Sequence, residues 1–192
     1  MRYLAVGRPD SAPRDLARCR TIADGEAISF EQEWIFGKPL IARVGDAVSV
    51  EELKAQVPAG CNAFLVEGLA EPDGGDAFVF GAHTMRDMRH FRSYADLIPE
   101  VVKQFGGRFL ARASEVTPIA GSVVPDRVVI TEYPTADDAV AFYISEPYAP
   151  LLKLRLATVN ARLVVLARTG ALPQSARQAA EDYLRVRRGS RR

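Results

Sequence analysis

The sequence predicts an α+β protein in which the element order βαββαβ is spelled twice. Three observations carry that expectation. Short apolar runs rich in β-branched and aromatic residues are bracketed by Gly, Pro and Asp, as strands are. Between them lie segments whose apolar residues recur at three- and four-residue steps, as on helices. The order recurs in residues 1–70 and 76–170, and Asn62-Ala63-Phe64-Leu65-Val66 is echoed by Asn160-Ala161-Arg162-Leu163-Val164.

In the first half, residues 2–6 are expected as a strand, 13–23 as a helix, and 27–36 and 40–44 as strands. Ser49 caps a short helix, with Glu52 at the reciprocal capping-box position, and 62–66 forms the last strand. In the second half, the turn-rich 71–76 precedes a strand at 78–83. Met88, Phe91, Leu97, Ile98, Val101, Val102 and Phe105 then mark a helix, which Pro99 is expected to kink or split. Gly106-Gly107 stops it. Strands follow at 108–113 and 128–133, separated by a turn at 121–126. Thr135 is a good N-cap for a helix over 136–145, with Asp137 and Asp138 in its positive first turn. A strand at 161–167 closes the unit. Each half thus reads as a ferredoxin-like unit: residues 1–74 a degenerate copy, 75–172 the clearer one, and 173–192 a basic C-terminal helix and tail. Each unit is expected to have a four-stranded sheet with two helices on one face. The bare faces must be buried, so the two units are expected to pair within the chain as an α+β barrel-like pseudo-dimer. The alternative is that the second unit pairs with another copy, as a homodimer.

Composition narrows the classes. At 192 residues and 48% hydrophobic, the chain can build a real core. A net charge of +1 argues against a dedicated nucleic-acid binder. The segment beyond residue 175 holds six arginines against Glu181 and Asp182, which leaves room for an acidic partner but suits a solvated terminal helix. Cys19 and Cys61 cannot make a disulfide framework, so a cytoplasmic location is expected. No run approaches the length of a membrane span, and the N-terminus lacks a signal-like apolar stretch.

Residues 78–170 resemble a known family, domain of unknown function 1330. The matching string runs through Asp87-x-x-x-Phe91-x-x-Tyr94, Phe105-Gly106-Gly107-Arg108-Phe109-Leu110-Ala111-Arg112, Arg127-Val128-Val129-Ile130-Thr131-Glu132-Tyr133-Pro134, and Ala139-x-x-Phe142-Tyr143-x-Ser145-Glu146-Pro147-Tyr148, with Arg155 beyond. The sequence departs from the family after Arg112, where Ala113-Ser114-Glu115 replaces the usual glycines. The resemblance implies similarity to the dimeric α+β barrel superfamily, in which two ferredoxin-like units pair their sheets around a cavity. The family assigns no catalytic residue. Some superfamily members bind haem through a histidine, which would make His83 or His90 a conceivable axial ligand.

Among residues that could carry chemistry, Arg112 and Arg155 are anion-binding candidates through their planar forks. Each could instead serve a structural ion pair, Arg112 with Glu115, Glu132 or a helix end. Tyr94, Tyr143 and Tyr148 could wall a pocket or simply fill the core. Glu132 is expected to face away from Ile130, as a general base if buried or as a solvated or arginine-paired strand residue. The sequence has no metal-ligand spacing, phosphate loop or nucleophile elbow, so no cofactor is expected. Two functions compete. One is a small-molecule-binding barrel, extending to a cofactor-independent monooxygenase or isomerase, with an anionic or carbonyl-bearing ligand on the open sheet face beside Arg112, Arg155, Tyr143 and Tyr148. The other is a non-enzymatic dimerisation or partner-binding domain with a packed interior.

Overall fold

The computed structural model describes residues 1–9, 16–31 and 37–189. It is an α+β fold with two antiparallel five-stranded sheets. The first sheet takes β1 (Arg2–Arg8), β2 (Cys19–Ala23), β4 (Lys38–Val44), β5 (Asn62–Glu67) and β8 (Val116–Ala120), in the order β2-β4-β1-β5-β8. The second takes β3 (Ala27–Ser29), β6 (Ala77–Met85), β7 (Arg108–Ala113), β9 (Arg127–Tyr133) and β10 (Val159–Ala167), in the order β3-β10-β6-β9-β7. Helix α1 (Val50–Gln56) belongs to the first half, and α2 (Met88–Gln104), α3 (Ala136–Ile144), α4 (Ala149–Thr158) and α5 (Gln174–Gly189) to the second. The halves exchange edges: β3 pairs with β10 of the second sheet, and β8 pairs with β5 of the first. That exchange makes each sheet five-stranded rather than the expected four-stranded.

The strand period of two sorts side chains into layers. On β1, Tyr3 and Ala5 enter an apolar cluster shared by both sheets, while Leu4 and Val6 face outward to the cluster around Leu53 of α1. On β6, Phe78 and Phe80 join the shared cluster, and Ala77 and Val79 pack under the helices. Val164 and Leu166 of β10 point between the sheets, whereas Leu163, Val165 and Ala167 point to the helices. A strand buried on both faces reads as one continuous apolar run, which is why these strands were legible. The layer between the sheets is filled by Phe78, Phe80, Val128, Ile130, Tyr3 and Ile41, among others. The bare face of the second sheet is therefore covered from within the chain.

Several expectations are corrected. Residues 19–23, expected in a helix over 13–23, form β2; residues 16–18 lead into it without helix, and 13–15 lie outside the described residues. The first half therefore shows one helix among the described residues, not two. Of the strand expected over 27–36, only the short β3 forms: Phe30 and Glu31 are outside any strand, and 32–36 lie outside the described residues. Helix α2 runs through Pro99 without being split. Asp87 caps its start through the His90 amide. Its end is a Schellman turn: the Gly107 amide donates to the Val102 carbonyl and the Gly106 amide to that of Lys103, both at 3.0 Å. Gly106 has φ +69°, the left-handed geometry that such a turn requires.

Candidate functional site

Polar groups gather beneath the helices of the second sheet, not on the face between the sheets. Arg155 lies in the last turn of α4 and is wholly buried. One of its terminal nitrogens donates to the Glu31 carboxylate, contributed by the residue after Phe30 beyond β3. The other lies 3.2 Å from Nε2 of His83 on β6. Gly81 makes room for the imidazole: it points to the same face, and a Cβ there would sit 3.0 Å from His83 Nε2. Tyr143 of α3 donates its hydroxyl to Glu31 Oε1 at 2.7 Å and accepts from Arg187 of α5 at 3.1 Å. The hydroxyls of Tyr148, at the start of α4, and Tyr94 of α2 interact with each other. Three polar atoms of this group are buried without a hydrogen-bond partner: Arg155 Nε, Glu31 Oε2 and His83 Nδ1.

Electrostatics follow from the burial. Desolvation, then the Arg127 charge, lower the His83 pKa to about 4, so the imidazole is neutral at pH 7. Desolvation, then Arg187, bring Arg155 down to about 9, which still leaves it charged. Burial raises Tyr94 to about 12 and pushes Tyr143 and Tyr148 upward as well. Arg127, opposite His83 in the β6–β9 register, lies with its guanidinium 5.5 Å from the Phe91 ring centre. Desolvation and the Arg112 charge lower its pKa. Arg112, Arg127 and Arg155 thus surround one end of the layer, and among the described residues only Glu31 supplies a carboxylate to them. Excess positive charge in a low-dielectric layer favours an anionic occupant.

The space is small as it stands. A cavity of about 30 Å³ is bordered by Gly81, His83, Tyr94, Tyr148 and Arg155, room for about one water. That volume does not admit a haem beside His83. His90, the other histidine, is exposed and bonded to Asp87 at 2.6 Å. A wider cleft of about 320 Å³ is bordered by Phe30, Glu31, Leu156, Asn160 and Arg187. Among the described residues no group of His, Cys, Asp and Glu is placed to hold a metal ion.

The expected site residues separate into two sets. Arg155, Tyr143 and Tyr148 converge as described. Arg112 lies at the rim of the same layer, and its guanidinium donates to the Ala95 carbonyl of α2 at 2.6 Å. That carbonyl is the one a residue at 99 would bond, and Pro99 has no N–H. Arg112 therefore replaces the missing helix bond, which accounts for a helix that continues through proline. A β-bulge between Phe109 and Ala111 sends Leu110 and Ala111 both into the inter-sheet layer. It puts Phe109 and Arg112 on one face, with the guanidinium 4.7 Å from the ring centre. Glu132 is elsewhere. Strand alternation places it on the same face as Ile130, not the opposite one, because residues two apart share a side. Its buried carboxylate accepts from the amides of Asp73 and Gly75, from Arg108 at 3.1 Å and from Arg168 at 3.0 Å. Those donors make it a structural anchor for the 73–75 turn. The open sheet face expected to receive a ligand is packed between the sheets, and the convergent groups lie under the helices instead. Nothing local in the sequence singles out Glu31 or Arg127. Glu31-Gln32-Glu33 contains no spacing that singles out the first carboxylate, and Arg127 shows itself only through its register with His83.

Fold and site together define a two-sheet α+β protein with an arginine-centred polar cluster buried under the helices of one sheet. Residues 76–169 match the model of the family described as Domain of unknown function (DUF1330). Over those residues the chain is similar to that family. A crystal structure of a protein of unknown function from Rhodopseudomonas palustris, a structural genomics target, is similar at 20% identity and a TM-score of 0.43. That match covers 50% of this chain and 83% of the other. Comparison with curated proteins finds no match. No helix among the described residues is long and apolar enough to cross a membrane.

Proposed function

We propose that the chain is a single-chain α+β barrel of two ferredoxin-like units, and that its second unit binds a small carboxylate or similar monoanion between sheet and helices. The two-unit reading is supported by strand order. Setting the exchanged edges aside, β7-β9-β6-β10 and β2-β4-β1-β5 have the same connectivity, each unit's second, third, first and fourth strands in turn. The binding reading rests on one observation: Arg155, wholly buried, already holds a carboxylate, flanked by a neutral imidazole and a tyrosine hydroxyl. Arginine's planar fork suits that ligand. An isomerase- or monooxygenase-like activity would need a proton acceptor. His83, with its pKa near 4, is a weak base at neutral pH, and Glu132 is occupied elsewhere, so binding is favoured over turnover.

The test is a calorimetric and thermal-shift panel of formate, acetate, pyruvate, benzoate and a 1,3-diketone enolate, run on the wild type and on Arg155→Met. Saturable binding by at least one member, lost in folded Arg155→Met, is the expected result. A wild type and a folded Glu31→Gln variant that are both indifferent to the whole panel at tens of millimolar sink the reading. The filled layer between the sheets favours a second reading, a non-enzymatic domain in which internal pairing is the purpose of the fold. That reading gains if the panel fails.

A further inference from the structure

The Arg155–Glu31 pair is incomplete in a particular way. An arginine and a carboxylate that fit each other form two parallel bonds, fork to fork. Here only Glu31 Oε1 is used, shared between Arg155 and Tyr143. Glu31 Oε2 and Arg155 Nε are both buried and both unbonded. A buried polar atom without a protein partner is destabilising, so the seated carboxylate is a compromise imposed by its tether. The tether is short. Phe30 is pinned by its amide to the Leu163 carbonyl at 2.9 Å and by its ring against Tyr143, 4.4 Å between centres. Glu31 borders the 320 Å³ cleft, and its partner Arg155 borders the 30 Å³ cavity.

We propose that Glu31 is a built-in placeholder, and that the site's exchangeable occupant is a small monocarboxylate that enters from the cleft, displaces Glu31 and bonds Arg155 side-on through Nε and a terminal nitrogen. This rests on the binding reading above and adds to it the ligand class and its internal competitor. A placeholder lowers apparent affinity by the fraction of molecules in which it is unseated. If Glu31 is seated in about 90% of molecules or more, removing its charge strengthens carboxylate binding about tenfold or more.

The experiment titrates acetate, propionate and benzoate, each against chloride at equal ionic strength, into wild type, Glu31→Ala and Glu31→Gln. Binding is read by calorimetry and by melting temperature, with near-ultraviolet circular dichroism as the check of folding. Glu31→Gln keeps the volume of the side chain and serves if Glu31→Ala does not fold. The expected result is saturable binding at least about tenfold tighter in the variants than in wild type, abolished when Arg155→Met is added. Folded variants that bind no tighter than wild type overturn the placeholder, whether or not wild type binds. A gain that survives Arg155→Met overturns it too. A wild type that binds as tightly as the variants leaves the site standing and removes only the placeholder. A wild type and variants that are all indifferent remove both.

Discussion

Pro99 and Arg112 should behave as one thermodynamic unit. Replacing Arg112 by Met removes a 2.6 Å bond to the Ala95 carbonyl and the contact with the Phe109 ring. A hydrogen bond from a charged donor contributes about 1.5–3 kcal/mol, and an exposed arginine–aromatic contact about 0.5–1. The site is only half-buried, so water can partly replace the guanidinium, and about 2 kcal/mol in all is the expected loss. Replacing Pro99 by Ala supplies an N–H four residues after Ala95, and the helix then satisfies that carbonyl itself. In the Pro99→Ala background, Arg112→Met should therefore cost only the ring contact, about 0.5–1 kcal/mol. The coupling in a double-mutant cycle is then about 1 kcal/mol. Urea unfolding of the four proteins, followed by far-ultraviolet circular dichroism at a common slope, measures it. Equal costs of Arg112→Met in the two backgrounds, within about 0.3 kcal/mol, would refute the account of Arg112 as the substitute donor.

Three further outcomes follow from the same geometry. His83 has a folded pKa of about 4 against about 6.5 unfolded, so between those values the unfolded chain binds a proton that the folded one refuses. Stability is then complete above about pH 6.5 and falls as pH drops toward 4, by about 3 kcal/mol; the slope difference between wild type and His83→Gln in urea titrations at several pH values isolates this share, and equal slopes would count against it. Glu132→Gln should cost about 2–4 kcal/mol, because two arginines and two amides lose a buried carboxylate; a loss below about 1 kcal/mol in urea unfolding would mean the 73–75 turn is anchored otherwise. Gly106→Ala should cost about 1–2 kcal/mol, since its φ is +69° and the new Cβ would lie 2.9 Å from the Pro134 ring; an unchanged melting midpoint would contradict the Schellman assignment.

How much was legible varies by layer. The strands around Phe78, Ile130 and Val164 stood out because they are buried on both faces and so carry unbroken apolar runs. The caps at Ser49 and Thr135 were legible because a capping box is local chemistry, and both form as expected. Strand β8 was missed because Pro118 sits in it. Proline is tolerated there because β8 is an edge strand, and no local pattern announces an edge. Arg155 was recognisable as an arginine in an apolar run, but the run does not say which layer receives it. The bulge that turns Arg112, and the convergence of Glu31 on Arg155 from the other half of the chain, are tertiary events with no short-range signature.

The exchanged edge strands also set an order of events during synthesis. Ile28 of β3 pairs with Val165 of β10, so its partner is made roughly 140 residues later. At about 5–20 residues per second, the nascent chain carries β3 without its partner for about 7–28 seconds. An unpaired strand edge invites wrong partners, and β3 is only three residues long. A short strand offers a stray chain few bonds during that wait, yet suffices to seal the sheet once β10 emerges. The brevity of β3 is thus suited to the ribosome as well as to the finished fold, and lengthening it should lower the yield of properly folded protein before it alters the stability of what does fold.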